Sequence, residues 1–462
     1  PGSGGARASG GGWSPPAGER LSCAYGEIHN PSMTTHHPIA IVGGGPAGAL
    51  AAAVLGAAGR DVLLFEEKLA WEKPCGGGVT HKALQQYPFL AEVGESNPVE
   101  HSSVEHDLVE HNLVEQCELI SPSGRRVRFH LQHPVAIFSR LALNGSLLER
   151  ARRAGAGARV NIRQERVTRI ARTGNGNGGD NENLWQLVTP QREYRASYVI
   201  LAAGARNSLR AQFLPPISPN DLMVTAGYFI PGCRSLMQIQ FLKGITGYIW
   251  VFPRADHVSA GIAGKMGETS TGKLRRTLEG WLEENGFPLD GASFYSHILP
   301  SFRAQTFDAL DVCGEGWAMI GDSAGLVDPI TGEGLYYALR SAELCANALL
   351  AGRPSDYRAT LEAEVITELK LAAQVAQRFY SGQIFGESVL ERMVSLTAQS
   401  ASIRDLLSDL FAGTQGYRDL RARLRKILPS ALAEGLSGML RRPWSGSSDS
   451  LAKETRQAAS LP

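Results

Sequence analysis

The run Gly43-x-Gly45-x-x-Gly48, followed downstream by Glu66, is a spacing that can hold a pair of phosphates and the sugar beside them. The first glycine permits a tight turn, the second lets main chain approach a pyrophosphate, and the third lets helix and strand pack closely. The helix that opens at Pro46 and Ala47 then turns its positive N-terminus to the anion. An acid about 20 residues further on suits the ribose diol of an adenosine. Glu66 stands there, with Glu67 as the less favoured neighbour. The elements that must position these residues are legible. Ile39-Ala40-Ile41-Val42 reads as a buried strand, Ala49 onward as an Ala/Leu helix, and Asp61 to Phe65 as a second strand that ends at Glu66. Ile39 to Gly59 carries no charge and is long enough on paper to cross a bilayer. Its glycine cluster and proline favour strand, turn and helix instead.

A second match to the same spacing, Gly174 to Gly179, lies in a polar low-complexity run and reads as a hairpin tip without chemistry. Far downstream, Trp317-Ala318-Met319-Ile320 reads as a strand ending at Gly321-Asp322. Asp328-Pro329-Ile330-Thr331-Gly332-Glu333-Gly334-Leu335 follows, then a long helix. This pair of segments resembles the second FAD fingerprint of the flavoproteins that include aromatic hydroxylases, geranylgeranyl reductases and flavin-dependent halogenases. The resemblance implies that Asp322 holds the ribityl chain of FAD. It also implies that Gly332, Glu333, Gly334 and Leu335 aim backbone N–H groups at the flavin pyrimidine edge, where reduced flavin is anionic. In Tyr198 to Arg210, Ala203-Gly204 stands where the family has Asp-Gly. That departure weakens direct NADPH use and points to a separate electron-donating reductase. Ser139-Arg140 matches a further family segment and implies a flavin-side contact for Arg140.

Two markers choose the branch. Lys73-Pro74-Cys75-Gly76-Gly77-Gly78-Val79 is similar to the PCGGG signature of geranylgeranyl-reductase-type flavoproteins, with Cys75, Gly76 and Gly77 against the ring. Gly247-Tyr248-Ile249-Trp250-Val251-Phe252-Pro253 is similar to their YxWxFP strand. Alternation puts Tyr248, Trp250 and Phe252 on one face, where they would bind substrate. The implied reaction is FAD-dependent reduction of carbon–carbon double bonds in an isoprenoid chain by hydride transfer. Cys75, Tyr248 and Trp250 are its catalytic candidates, and the partner is a hydrophobic small molecule or prenyl lipid. The alternatives are a halogenase or monooxygenase working through a flavin hydroperoxide, and a non-catalytic flavin-binding protein.

The expected fold is α/β: a Rossmann-like FAD domain of the glutathione-reductase and aromatic-hydroxylase type, an antiparallel-sheet substrate domain, and C-terminal helices. The expected boundaries are 37–85, 135–215 and 305–352 for the discontinuous FAD domain, 86–134 and 216–304 for the substrate domain, and 353–440 for the helical region. A disordered leader (1–36) and tail (441–462) flank them. The 462 residues, 43% hydrophobic and 20% charged, suit a multidomain globular enzyme. A formal charge of +1 gives no global field for nucleic acid. Six scattered cysteines without CxxC suit a reducing compartment. The expected location is therefore cytoplasmic, with peripheral contact at the inner face of the membrane through a basic amphipathic helix, Tyr417–Leu428. Val-Glu-His units recurring every five residues from Val99 invite a metal site. That spacing scatters the histidines over different faces of any helix or strand, and no metal is expected.

Overall fold

A computed structural model describes residues 38–91, 111–157, 159–173, 184–205, 208–384 and 386–441. The leader, the tail beyond 441, most of the Val-Glu-His repeat and the Gly174–Gly179 run lie outside them.

The first sheet grows from short, fully apolar strands, the pattern of parallel strands covered on both faces. Ile39–Val42 is central, with Tyr198–Leu201 on one side and Val62–Phe65 on the other, all parallel. Trp317–Met319 and Val160–Arg163 extend it outward, and Cys313–Gly314 closes one edge in the antiparallel sense. Val42 is level with both Leu201 and Phe65, so three chains leave the sheet together at its carboxyl end. In such sheets ligands bind in that crevice. Helix Pro46–Ala57 is buried on nearly every side, packed against helices Arg140–Arg153 and Leu335–Leu350. Burial all round explains why its sequence is as apolar as a membrane span. Among the described residues no helix is long and apolar enough to cross a membrane.

The second sheet has eight strands in the order Ser293–Pro300, Leu222–Pro231, His257–Lys265, Gly247–Pro253, Leu236–Phe241, Asn112–Ile120, Arg126–Ile137 and Gly78–Val79. Its pairings are antiparallel with one exception. Leu236–Phe241 runs parallel to Asn112–Ile120, so the sheet expected to be antiparallel is mixed. The two partners are far apart in sequence, so no hairpin turn dictates their sense. Helix Thr271–Glu284 covers part of one face with Leu274, Leu278, Trp281 and Leu282. The C-terminal helices cover another part with Leu390, Val394, Ile403 and Leu407.

Those helices are Thr367–Ser381, Val389–Gln399, Ala401–Ala412 and Tyr417–Arg441. The periodicity running from Glu362 to Phe411 is interrupted at Gly382, where a Cβ would lie 2.2 Å from the Arg378 carbonyl oxygen. On the last helix Leu420 is buried, and Leu424 and Ile427 pack against the protein, leaving Leu428 exposed. The apolar face expected to meet a bilayer is thus largely turned inward. A three-stranded antiparallel sheet pairs Arg169–Arg172 with Trp185–Val188. Among the described residues no cluster of three or more His, Cys, Asp or Glu is placed to hold a metal.

Candidate flavin site

The nucleotide end is built by close approach of main chain. Gly43 has φ +108°, and a Cβ there would lie 2.3 Å from the Ala202 carbonyl oxygen. A Cβ on Gly48 would lie 1.8 Å from the Gly43 oxygen. Gly48 therefore does not line the cavity, and its role is to let helix and strand touch. Gly45 is different: no atom comes within 4 Å of its Cβ position. Helix Pro46–Ala57 begins there with proline in its first turn and no side chain capping its N–H groups. Glu66 accepts from Gly44 N at 2.7 Å and Lys68 N at 3.1 Å, and a carboxylate retains lone pairs beyond two such bonds. Glu67 is about half exposed and faces Arg166 at 4.0 Å, which leaves Glu66 the better placed of the two.

The opposite wall is the turn after strand Trp317–Met319. Asp322 faces Lys73 Nζ at 3.7 Å. Gly204, with φ +78°, accepts a hydrogen bond from Ser323 Oγ at 3.3 Å, with Ala203 beside it on the wall. Gly332 has φ +73°, and its Cβ position is 2.6 Å from Tyr248 Oη. Gly334 starts helix Leu335–Leu350, and Glu333 Oε1 accepts from Tyr336 N at 2.7 Å. Three tyrosines from three elements grip this turn. Tyr248 donates to Thr331 O and Tyr380 to Ile330 O, each at 2.7 Å. Tyr417 donates to Asp328 Oδ2, also at 2.7 Å. Asp328 is buried, which pushes its carboxyl pKa upward, while the Tyr417 hydroxyl and the Ile330 and Thr331 N–H groups pull it down.

The glycine loop is held from behind. The Phe252 ring lies 2.5 Å from where a Cβ on Gly76 would be, and Gly77 has φ +87° with its Cβ position 2.3 Å from Phe138 O, so both positions favour glycine. The Cys75 carbonyl accepts from Arg254 Nη2 at 2.8 Å and Ser259 Oγ at 3.0 Å. Arg254 is fully buried and pairs with Glu72. Glu72 in turn accepts from Ser139 Oγ at 2.6 Å and Arg140 N at 2.9 Å, at the start of helix Arg140–Arg153. Desolvation raises the Glu72 pKa, but Arg254 and these donors outweigh it, and the carboxyl titrates below its usual range.

Arg140 is buried, its Nη2 donates to Asn144 Oδ1 at 3.3 Å, and its Nε has no partner. A buried guanidinium with an unused donor fits an anionic or carbonyl-bearing ligand. Together with the open cradle at Gly45 and the free first turn of helix Pro46–Ala57, it fits a flavin nucleotide lying across this wall. Except for Gly48, every site residue expected from the sequence lines one continuous cavity of about 2190 Å³. Arg254 and Glu72 are not singled out by the sequence, and the bond between Asp328 and Tyr417 is not legible there either. Arg254 directly follows the aromatic strand motif, a signal available to be read; Glu72 has none.

Beyond the glycine loop the cavity runs between the second sheet, at Met237, Ile239 and Phe241, and the C-terminal helices, at Phe379, Leu407 and Leu410. Tyr248, Trp250 and Phe252 stand on its wall. Residues 37–218 match the family model described as pyridine nucleotide-disulphide oxidoreductase. The geranylgeranyl diphosphate reductase of Synechocystis is 24% identical over 416 residues, which is 80% of this chain and 91% of the relative. The geranylgeranyl bacteriochlorophyll reductase-like protein of Thermoplasma acidophilum superposes with a TM-score of 0.65 at 18% identity. That alignment covers 85% of this chain and 99% of the other. A flavin-dependent brominase superposes at 0.60 and 17% identity, covering 86% and 100%. The chain is a flavin-dependent oxidoreductase by its similarities, and the proteins it resembles include geranylgeranyl reductases. Both superpositions extend over more than four-fifths of the chain. The glycine loop and aromatic strand are two of the segments within that long stretch of similarity to the reductase.

Proposed function

We propose that the protein is an FAD-dependent reductase of carbon–carbon double bonds in an isoprenoid chain. One observation carries the reading: the aromatic strand and the Cys75 loop form adjoining walls of a cavity that continues as an apolar channel under the C-terminal helices. Its volume is roughly twice the ~1,000 Å³ upper end of ordinary small-molecule sites. That leaves room for a long apolar chain beside a cofactor. The choice of FAD is supported by the Gly43–Gly48 turn and Glu66, which suit an adenosine ribose and pyrophosphate.

Bound there, the flavin supplies the hydride. The chain's own residues do the rest. An isolated alkene accepts hydride poorly, so placement at ~3–3.5 Å and exclusion of water must supply much of the acceleration. Tyr248, Trp250 and Phe252 hold the alkene segment, Tyr248 being fixed by its bond to Thr331 O. Met237, Ile239, Phe379 and Leu407 hold the remainder of the chain away from solvent. Arg254 and Ser259 fix the Cys75 carbonyl, so the thiol is presented at one position in the loop. Cys75, or water beside it, is the proposed neighbourhood of the proton for the second alkene carbon. With Ala203 in place of the family aspartate, electrons are proposed to come from a separate reductase. Peripheral membrane contact in the cytoplasm, if made by the last helix, would rest on exposed Arg421 and Arg425 rather than on its inward-facing leucines.

The test is anaerobic photoreduction followed by mixing with prenyl acceptors. Reoxidation with a mass gain of two hydrogens supports the reading, and reoxidation only by oxygen overturns it in favour of a halogenase or monooxygenase.

A further inference from the structure

The start of helix Leu335–Leu350 carries its own anion. Gly334 offers no side-chain cap, and Glu333 supplies one by folding back onto Tyr336 N. Glu333 lines the cavity at the helix end that the family resemblance aims at the flavin pyrimidine edge. A helix N-terminus ordinarily stabilises negative charge placed before it. Here a carboxylate already draws on that field, and a reduced flavin would bring a second negative charge to the same place.

The charged and titratable groups around Glu333 relieve this crowding only in part. Asp328, from the turn before the helix, is buried and adds negative potential, while Arg140 from helix Arg140–Arg153 adds positive. Lys82 faces it from helix His81–Gln86, with Nζ 4.2 Å over the Tyr336 ring. The Tyr248 and Tyr337 hydroxyls complete the set, and both are held neutral by burial and by the nearby carboxylates. Burial, reinforced by Asp328 and opposed by the Tyr336 and Leu335 N–H groups and Arg140, pushes the Glu333 carboxyl up to about 7.

We propose that Glu333 is a proton-holding residue of the flavin site, taking up one proton when the bound ring is reduced and releasing it when the ring is reoxidised. The balance closes. An external donor delivers two electrons; one proton joins the ring to give its reduced anion, and a second joins the Glu333 carboxylate. On turnover with an alkene, the hydride forms one new C–H bond. The proton leaving Glu333 matches the one that the second carbon acquires, so ring and carboxylate return to their starting states. The inference rests on the flavin assignment and not on the prenyl substrate.

It is tested without any alkene, by spectroelectrochemical titration of the FAD-loaded protein between about pH 7.5 and 9. Each proton coupled to a two-electron couple contributes about 30 mV per pH unit. The wild type should fall by about 60 mV per pH unit and Glu333→Gln, which retains an oxygen for Tyr336 N, by about 30 mV. A wild-type slope near 30 mV overturns the proposal, as does a variant that keeps the wild-type slope. Should Glu333→Gln fail to retain FAD, Glu333→Asp serves in its place. A shift in the pH at which the slope changes supports the proposal, and an unshifted profile refutes it. Absence of alkene reduction would sink the substrate reading while leaving this result intact.

Discussion

Arg254 and Glu72, separated by 182 residues, form an ion pair that ties the Cys75 loop to the start of helix Arg140–Arg153. Arg254 is wholly enclosed and Glu72 about a quarter exposed. Removing one partner of a buried pair typically costs about 3–5 kcal/mol, because the other charge is stranded. Arg254→Ala is expected near the low end, about 3 kcal/mol, since water reaches Glu72. Arg254→Lys should recover part of the stability but not the bond to the Cys75 carbonyl. Denaturant unfolding, with flavin retained on gel filtration as a second readout, checks both.

The same pair sets an acid limit. The Glu72 carboxyl is held below the ordinary glutamate value in the folded chain. Its stabilisation is therefore complete above the unfolded value and is lost as pH falls through the lowered folded one. Thermal melts from pH 6 downward should show this loss in the wild type. The Glu72→Gln melt should start lower and fall less steeply. Parallel curves would contradict the assignment.

Gly45 and Gly48 should separate binding from folding. Gly45→Val meets no protein atom near its Cβ position, so the melting temperature without cofactor should change little while FAD binding is lost. Gly48→Val drives a side chain into the Gly43 carbonyl and should destabilise the fold itself, by several kcal/mol. Calorimetry with and without FAD distinguishes the two.

Arg140→Met should preserve the apolar part of the helix contact and remove the guanidinium whose Nε is unpaired. FAD affinity is expected to fall at least tenfold, about 1.4 kcal/mol, measured by fluorescence titration. Unchanged affinity would place the arginine outside the cofactor contact.

What was legible in the sequence is what is local in the chain. Gly43, Gly45 and Gly48 sit in one turn, and Glu66 ends the adjacent strand, so spacing alone carries their geometry. Cys75–Gly78 and Tyr248–Phe252 were each readable as motifs. That a ring of one would lie on a glycine of the other follows only from the folded sheet. The Tyr417–Asp328 bond spans 89 residues and leaves no periodic trace. The amphipathic pattern of Tyr417–Leu428 was real, but a pattern reports an apolar face without saying whether lipid or protein covers it. Here protein covers most of it. The parallel pairing of Leu236–Phe241 with Asn112–Ile120 was missed for the same reason: alternation gives faces, not neighbours.

The grip of Tyr248, Tyr380 and Tyr417 on the turn before helix Leu335–Leu350 makes distant parts of the chain answerable to one another. Clipping the polypeptide just ahead of residue 417 would delete none of the groups proposed to touch the nucleotide. Yet it would strip Asp328 of its hydroxyl donor and slacken the turn. Limited proteolysis of the far end should therefore bleach the protein, releasing its yellow colour well before the nucleotide domain itself is cut.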